Sequence, residues 1–184
     1  MATIDLIVLG ILKKEPLSAY DIQKLVEYRN ISKWVKISTP SIYKKVIQLE
    51  GKGYIKGTTV KEGNMPEKVI YSLTSAGEIE FEKLALKISA MPVRFFLDFN
   101  AVIVNLLSLS PENQELCLSN IKSGVKTLKD YLAENINMKE NIPDIPETGM
   151  SVLQQQLILA EAIENWITSL EKELIGKIDY QNEK

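Results

Sequence analysis

The sequence predicts a mainly α-helical protein with one small β-hairpin in its first half and antiparallel helices in its second. Three observations carry this. Apolar residues recur at helical spacing through three successive stretches of the first 51 residues. Two alternating β-branched and aromatic runs follow, joined by a polar segment with turn formers. After Pro92, long stretches with apolar residues three or four apart resume. The expected domains are residues 1–88 and 89–184.

The elements follow in order. The first helix is expected from Thr3, its cap, to about Lys13, with Asp5 in its first turn and apolar residues nearly all round. A capping box opens the second: Ser18 caps, Asp21 reaches back to its N–H, and Ile22, Leu25 and Val26 face a core. Trp34, Val35 and Ile37 read as a packed connector. In the third helix Thr39 is the expected cap and Pro40 the first helical residue. Ile42, Val46 and Leu49 form its buried stripe, Ser41, Lys44, Lys45 and Gln48 its outer face, and Gly51-Lys52-Gly53 ends it. Strands are expected over Tyr54 to Val60 and Lys68 to Leu73, around a loop containing Gly63, Asn64 and Pro66. Thr74 then caps a helix to about Ile88, with Ile79, Leu84 and Leu86 among its apolar positions.

In the second half, residues 93–107 read as one strongly apolar helix. Ser110-Pro111-Glu112 opens another, running to about Asn135. A last helix spans about Met150 to Lys177, and its stripe of Leu153, Leu157, Ala160, Ile163, Ile167, Leu170 and Leu174 reads as a dimerisation seam.

Composition removes several functions. With no histidine among 184 residues, His-ligated zinc and His-based catalytic triads are excluded, and one cysteine (Cys117) cannot form an intrachain disulfide. No phosphate loop, nucleophile elbow or closely spaced acidic pair with a plausible pocket is found, so neither an enzyme, a metal nor a cofactor is expected. No apolar run spans a bilayer and the N-terminus lacks a basic region, so the expected location is the cytoplasm, away from membranes. The net charge of −2 divides unevenly: residues 1–77 hold 12 Lys+Arg against 7 Asp+Glu, and residues 78–184 hold 10 against 17. The basic half suits a polyanion.

Helix, helix, helix, strand, strand is the order of a winged helix-turn-helix, which places the third helix in the major groove of double-stranded DNA and the hairpin beside it. On this reading Ser41, Lys44, Lys45 and Gln48 face bases, while Ser38 and Thr39 hold a phosphate at the helix start and Lys61, Asn64 and Lys68 follow a neighbouring backbone or minor groove. The same residues also fit a solvated helix face, and the same fold serves as a protein-interaction module. Trp34, Phe95, Phe96, Phe99 and Trp166 suit either a pocket for a small aromatic or lipophilic effector or a core or dimer seam.

Three stretches resemble the PadR-like transcriptional regulators: Leu9-Gly10-Ile11-Leu12 with Pro16-Leu17-Ser18-Ala19-Tyr20-Asp21-Ile22, Ser41-Ile42-Tyr43 with Leu49-Glu50-Gly51-Lys52-Gly53-Tyr54-Ile55, and Tyr71-Ser72-Leu73-Thr74-Ser75-Ala76-Gly77. Ala19 stands where the family more often has glycine. The resemblance implies a homodimer that binds palindromic operators, mostly as a repressor, dimerises through C-terminal helices and in many cases responds to a small aromatic or lipophilic molecule. It also implies that Ser18, Tyr20 and Tyr43 lie in the DNA-binding motif, where each tyrosine either donates to a phosphate or packs the helix-turn-helix.

Overall fold

A computed structural model describes residues 2–61, 67–143 and 145–182. The chain divides into two compact units, Met1–Arg94 and Phe95–Lys184.

The first unit contains α1 (Ala2–Leu12), β1 (Leu17–Ser18), α2 (Ala19–Tyr28), a 3-10 turn (Ile31–Lys33), α3 (Ser41–Gly51), β2 (Ile55–Val60), β3 (Lys68–Leu73) and α4 (Ser75–Ser89). Its core follows from the apolar stripes. Val8 and Leu9 of α1, Ile22 and Val26 of α2, and Ile42, Val46 and Leu49 of α3 are almost wholly buried together. Trp34, Val35 and Ile37 pack against this core, as the connector reading expects. Thr3 is not a cap, because the helix already includes Ala2.

β2 and β3 pair antiparallel with Gly57 opposite Tyr71, giving the expected hairpin. The two-residue β1 was not legible in the sequence, because two residues carry no periodicity. It pairs with β3, Leu17 opposite Tyr71, so the sheet order is β1-β3-β2. Ser18 serves two elements at once: its extended backbone (φ −75°, ψ 160°) ends the strand and caps α2. On α4, Leu84 is buried, whereas Ile79 and Leu86 are exposed.

The second unit departs from expectation at its start. Residues 92–97 have no regular structure, and only α5 (Asn100–Ile103) and a 3-10 turn (Leu106–Ser108) form in the span read as one helix. A short helix depends on a packed face, yet Phe95, Phe96, Val104 and Leu107 are exposed. The Asn105 side-chain amide also donates to the Ala101 carbonyl (2.8 Å), competing for the local backbone.

α6 (Pro111–Lys139) and α7 (Glu147–Asn182) form where expected; each runs past its expected C-terminal end, about Asn135 and Lys177, and α7 starts three residues before the expected Met150. They pack antiparallel. Leu118 meets Ile167 near one end, Leu132 meets Leu153 and Ala160 near the other, and Lys122–Glu171 and Lys129–Glu164 ion pairs run in opposite order along the two helices. This corrects the dimerisation seam. Leu153, Leu157, Ala160, Ile167, Leu170 and Leu174 pack within one chain, and Ile163 is half-buried. An apolar stripe shows that a helix has a partner, not which chain supplies it. Among the described residues no helix is long and apolar enough to cross a membrane.

Candidate nucleic-acid interface

The site is built on α2, α3 and the hairpin. α2 starts where the Ser18 hydroxyl accepts the Asp21 N–H at 3.1 Å and lies 2.6 Å from the Asp21 carboxylate, to which it donates. The carboxylate thus takes the Ser18 hydroxyl rather than its backbone N–H. This corrects Ser18 as a DNA contact, since it is 8% exposed and its hydroxyl is committed to the cap.

The regular part of α3 begins at Ser41, with Pro40 rather than Thr39 in the cap position. The Ser38 carbonyl accepts both the Ser41 N–H (3.0 Å) and the Ser41 hydroxyl (2.5 Å), so the chain enters the helix through a tight turn. The Ser41 hydroxyl therefore points back at this turn. Ser38 is exposed and Thr39 half-exposed beside it.

The helix ends in a Schellman arrangement: Tyr54 N–H donates to Leu49 (3.0 Å) and Gly53 N–H to Glu50 (2.8 Å), with Gly53 at φ +72°. The Glu50 carboxylate then accepts the Gly57 N–H at 2.9 Å, tying α3 to β2. Burial, and then the nearby Glu50 charge, push the Tyr71 phenol above its ordinary range, so it stays neutral beside this link. Thr74 closes the hairpin onto α4, accepting the Gly77 N–H at 3.1 Å.

This frame fixes which residues of α3 face outward. Tyr43, Lys44, Ile47 and Gln48 are exposed. Lys45 is not: it is 8% exposed and its ammonium lies 2.8 Å from Asp5 Oδ1 of α1. Its placement on the outer face is corrected. On the helical wheel Lys45 lies about 40° from Leu49 and about 60° from Ile42, at the edge of the buried stripe, and its long stem lets the ammonium reach the carboxylate. Ile47 was missed because it is apolar. Its signal was position, one residue beyond Val46 and so about 100° off the buried stripe.

Tyr20 and Tyr43 are both largely exposed, so neither is a packed core tyrosine, and Lys24 Nζ lies 5.5 Å from the Tyr20 ring centroid. On the hairpin Lys61 and Lys68 are exposed, and Asn64 lies outside the described residues. The aromatic set divides between the units. Trp34 packs on the core of the first, while in the second Phe95 and Phe96 are exposed and Phe99 stacks on Trp166 at 6.2 Å and 24°.

Three helices, a hairpin with lysines at both inner ends, and a polar outward face on the third helix form a winged helix-turn-helix. The model of the transcriptional regulator PadR-like family matches residues 8–83, which spans this arrangement. Residues 8–83 belong to the PadR-like family of transcriptional regulators. That is a family of DNA-binding winged-helix regulators, not of enzymes.

Solved structures of similar fold include Bacillus subtilis PadR in complex with operator DNA (21% identity, TM-score 0.78, covering 91% of this chain and 96% of that one). The same protein in complex with p-coumaric acid matches with 21% identity, TM-score 0.74 and coverage of 91% and 92%. The Vibrio cholerae virulence activator AphA matches with 19% identity, TM-score 0.68 and coverage of 95% and 99%. At these identities the likeness is one of fold. A comparison with curated proteins finds no match.

Proposed function

We infer that this PadR-like chain acts in the cytoplasm as a homodimeric repressor that binds a palindromic operator through α3 and the hairpin. The observation that carries this reading is the outward face of α3, where Tyr43, Lys44 and Gln48 stand exposed on a helix anchored on its other side by Ile42, Val46 and Leu49. In the groove Lys44 and Gln48 reach base edges, Ser41 stands at the entry, and Ser38, Thr39, Tyr43 and Tyr20 hold phosphates. Lys61 and Lys68, with Asn64 between them, follow the adjacent backbone.

One such helix makes few base contacts, so two half-sites about one helical turn apart are needed. The second copy covers Phe95, Phe96, Val104 and Leu107, which are exposed in the single chain. A small aromatic molecule releases the operator by acting on the second unit, near the stacked Phe99 and Trp166. Supporting this arm is the complex of the fold relative Bacillus subtilis PadR with p-coumaric acid.

Titration of duplex DNA at several salt concentrations tests the reading. Binding is expected to weaken as salt rises, and Lys44→Ala to weaken it further. If Lys44 holds a phosphate rather than a base, the salt slope falls by about one unit. A dimer without salt-dependent duplex binding would instead mark a protein-interaction module.

A further inference from the structure

The outward stripe of α3 carries one residue that makes poor use of water. Lys44, Ile47, Gln48 and Gly51 follow at i, i+3, i+4 and i+7 and are all exposed, with Ile47 at 66%. Single exposed apolar side chains are ordinary on protein surfaces. What distinguishes Ile47 is its position at the centre of the face, one turn from Tyr43 and Lys44 and beside Gln48. Resting on the regulator reading above, we propose that Ile47 reads the C5 methyl of a thymine in the major groove and so specifies one T·A pair in each half-site.

The chemistry leaves little else for it to do there. Base edges in the major groove offer donors and acceptors, which suit Lys44 and Gln48, and one apolar feature, the thymine methyl. An isoleucine set against any other edge strips water from a donor or acceptor and returns no hydrogen bond. The same side chain therefore favours thymine and disfavours the alternatives at that position. Its β-branch restricts χ1 on a helix, so the methyls are presented in a nearly fixed direction and little rotamer freedom is lost on contact.

The test begins with duplexes selected by the full-length protein from a random pool. Each thymine of one half-site is then replaced singly by deoxyuridine, which keeps every hydrogen-bonding group and lacks only the methyl. One replacement is expected to weaken the wild-type protein about fourfold, the value of one methyl-sized group taken out of water. Ile47→Ala is expected to unfold at the wild-type temperature, since the site is exposed, and to bind the thymine and uridine duplexes alike. A wild-type protein indifferent to uridine at every position overturns the inference, as does an Ile47→Ala protein that keeps the sensitivity. In either case duplex binding survives and only this inference falls. A protein that selects no duplex overturns the regulator reading as well.

Discussion

Lys45 brings a charge into the contact between α1 and α3, where the Asp5 carboxylate meets it at 2.8 Å. Such pairs add little net stability over an apolar pair of the same size, yet removing one partner leaves a buried charge unmatched. Lys45→Ala is therefore expected to destabilise the fold by about 3 kcal/mol. The double replacement Lys45→Met with Asp5→Leu is expected to recover most of this, and urea unfolding of the three proteins checks it. If the single replacement unfolds like the wild type, the pair is not structural. By contrast Lys44, the neighbouring residue, faces solvent. Two adjacent lysines that look alike in sequence thus divide between a buried ion pair and a solvent-exposed face.

At the scale of the element, α3 and the hairpin work as one piece because their junction allows few alternatives. Gly53 sits at φ +72°, where a side chain meets its own backbone, and Gly53→Ala is expected to cost about 1 kcal/mol. Gly77 is tighter: a Cβ there would stand 2.0 Å from the Tyr54 carbonyl oxygen, which is backbone and has no rotamer to move into. Gly77→Ala is accordingly expected to lower the melting temperature more than Gly53→Ala, as thermal unfolding of both will show. Equal effects would mean that α4 shifts away from the junction at small cost. The Glu50–Gly57 bond gives a milder lever. Glu50→Gln keeps an acceptor at the same place, and its DNA affinity is expected to stay near wild type while Glu50→Ala loosens the hairpin and weakens binding.

At the scale of the whole molecule, the exposed apolar residues after Arg94 are the largest unexplained feature of a single chain. Phe96 is 82% and Val104 80% exposed, in a segment that also exposes Phe95 and Leu107. A monomer that leaves such residues in water is prone to associate. If the proposed dimer forms through this segment, Phe96→Ser with Leu107→Ser is expected to give a monomer in sedimentation and, with the half-sites uncoupled, to weaken operator binding. A variant that remains dimeric would move the interface elsewhere.

The sequence by itself determined the winged helix-turn-helix: caps at Ser18 and Thr74, the glycine stop at Gly53, the α3 stripe and the alternating strands are local patterns, and local patterns report local structure. It also determined that α6 and α7 are long and amphipathic. Tertiary structure decided what lay across each face. It turned Lys45 inward onto Asp5, left Ile47 outside, gave the α7 stripe to α6 rather than to a second chain, and broke the apolar stretch 93–107 into short turns. The physical reason is common to all four. Hydrophobicity and charge state that a side chain wants a partner, but which group meets it depends on residues far away in the chain that a periodic pattern does not name.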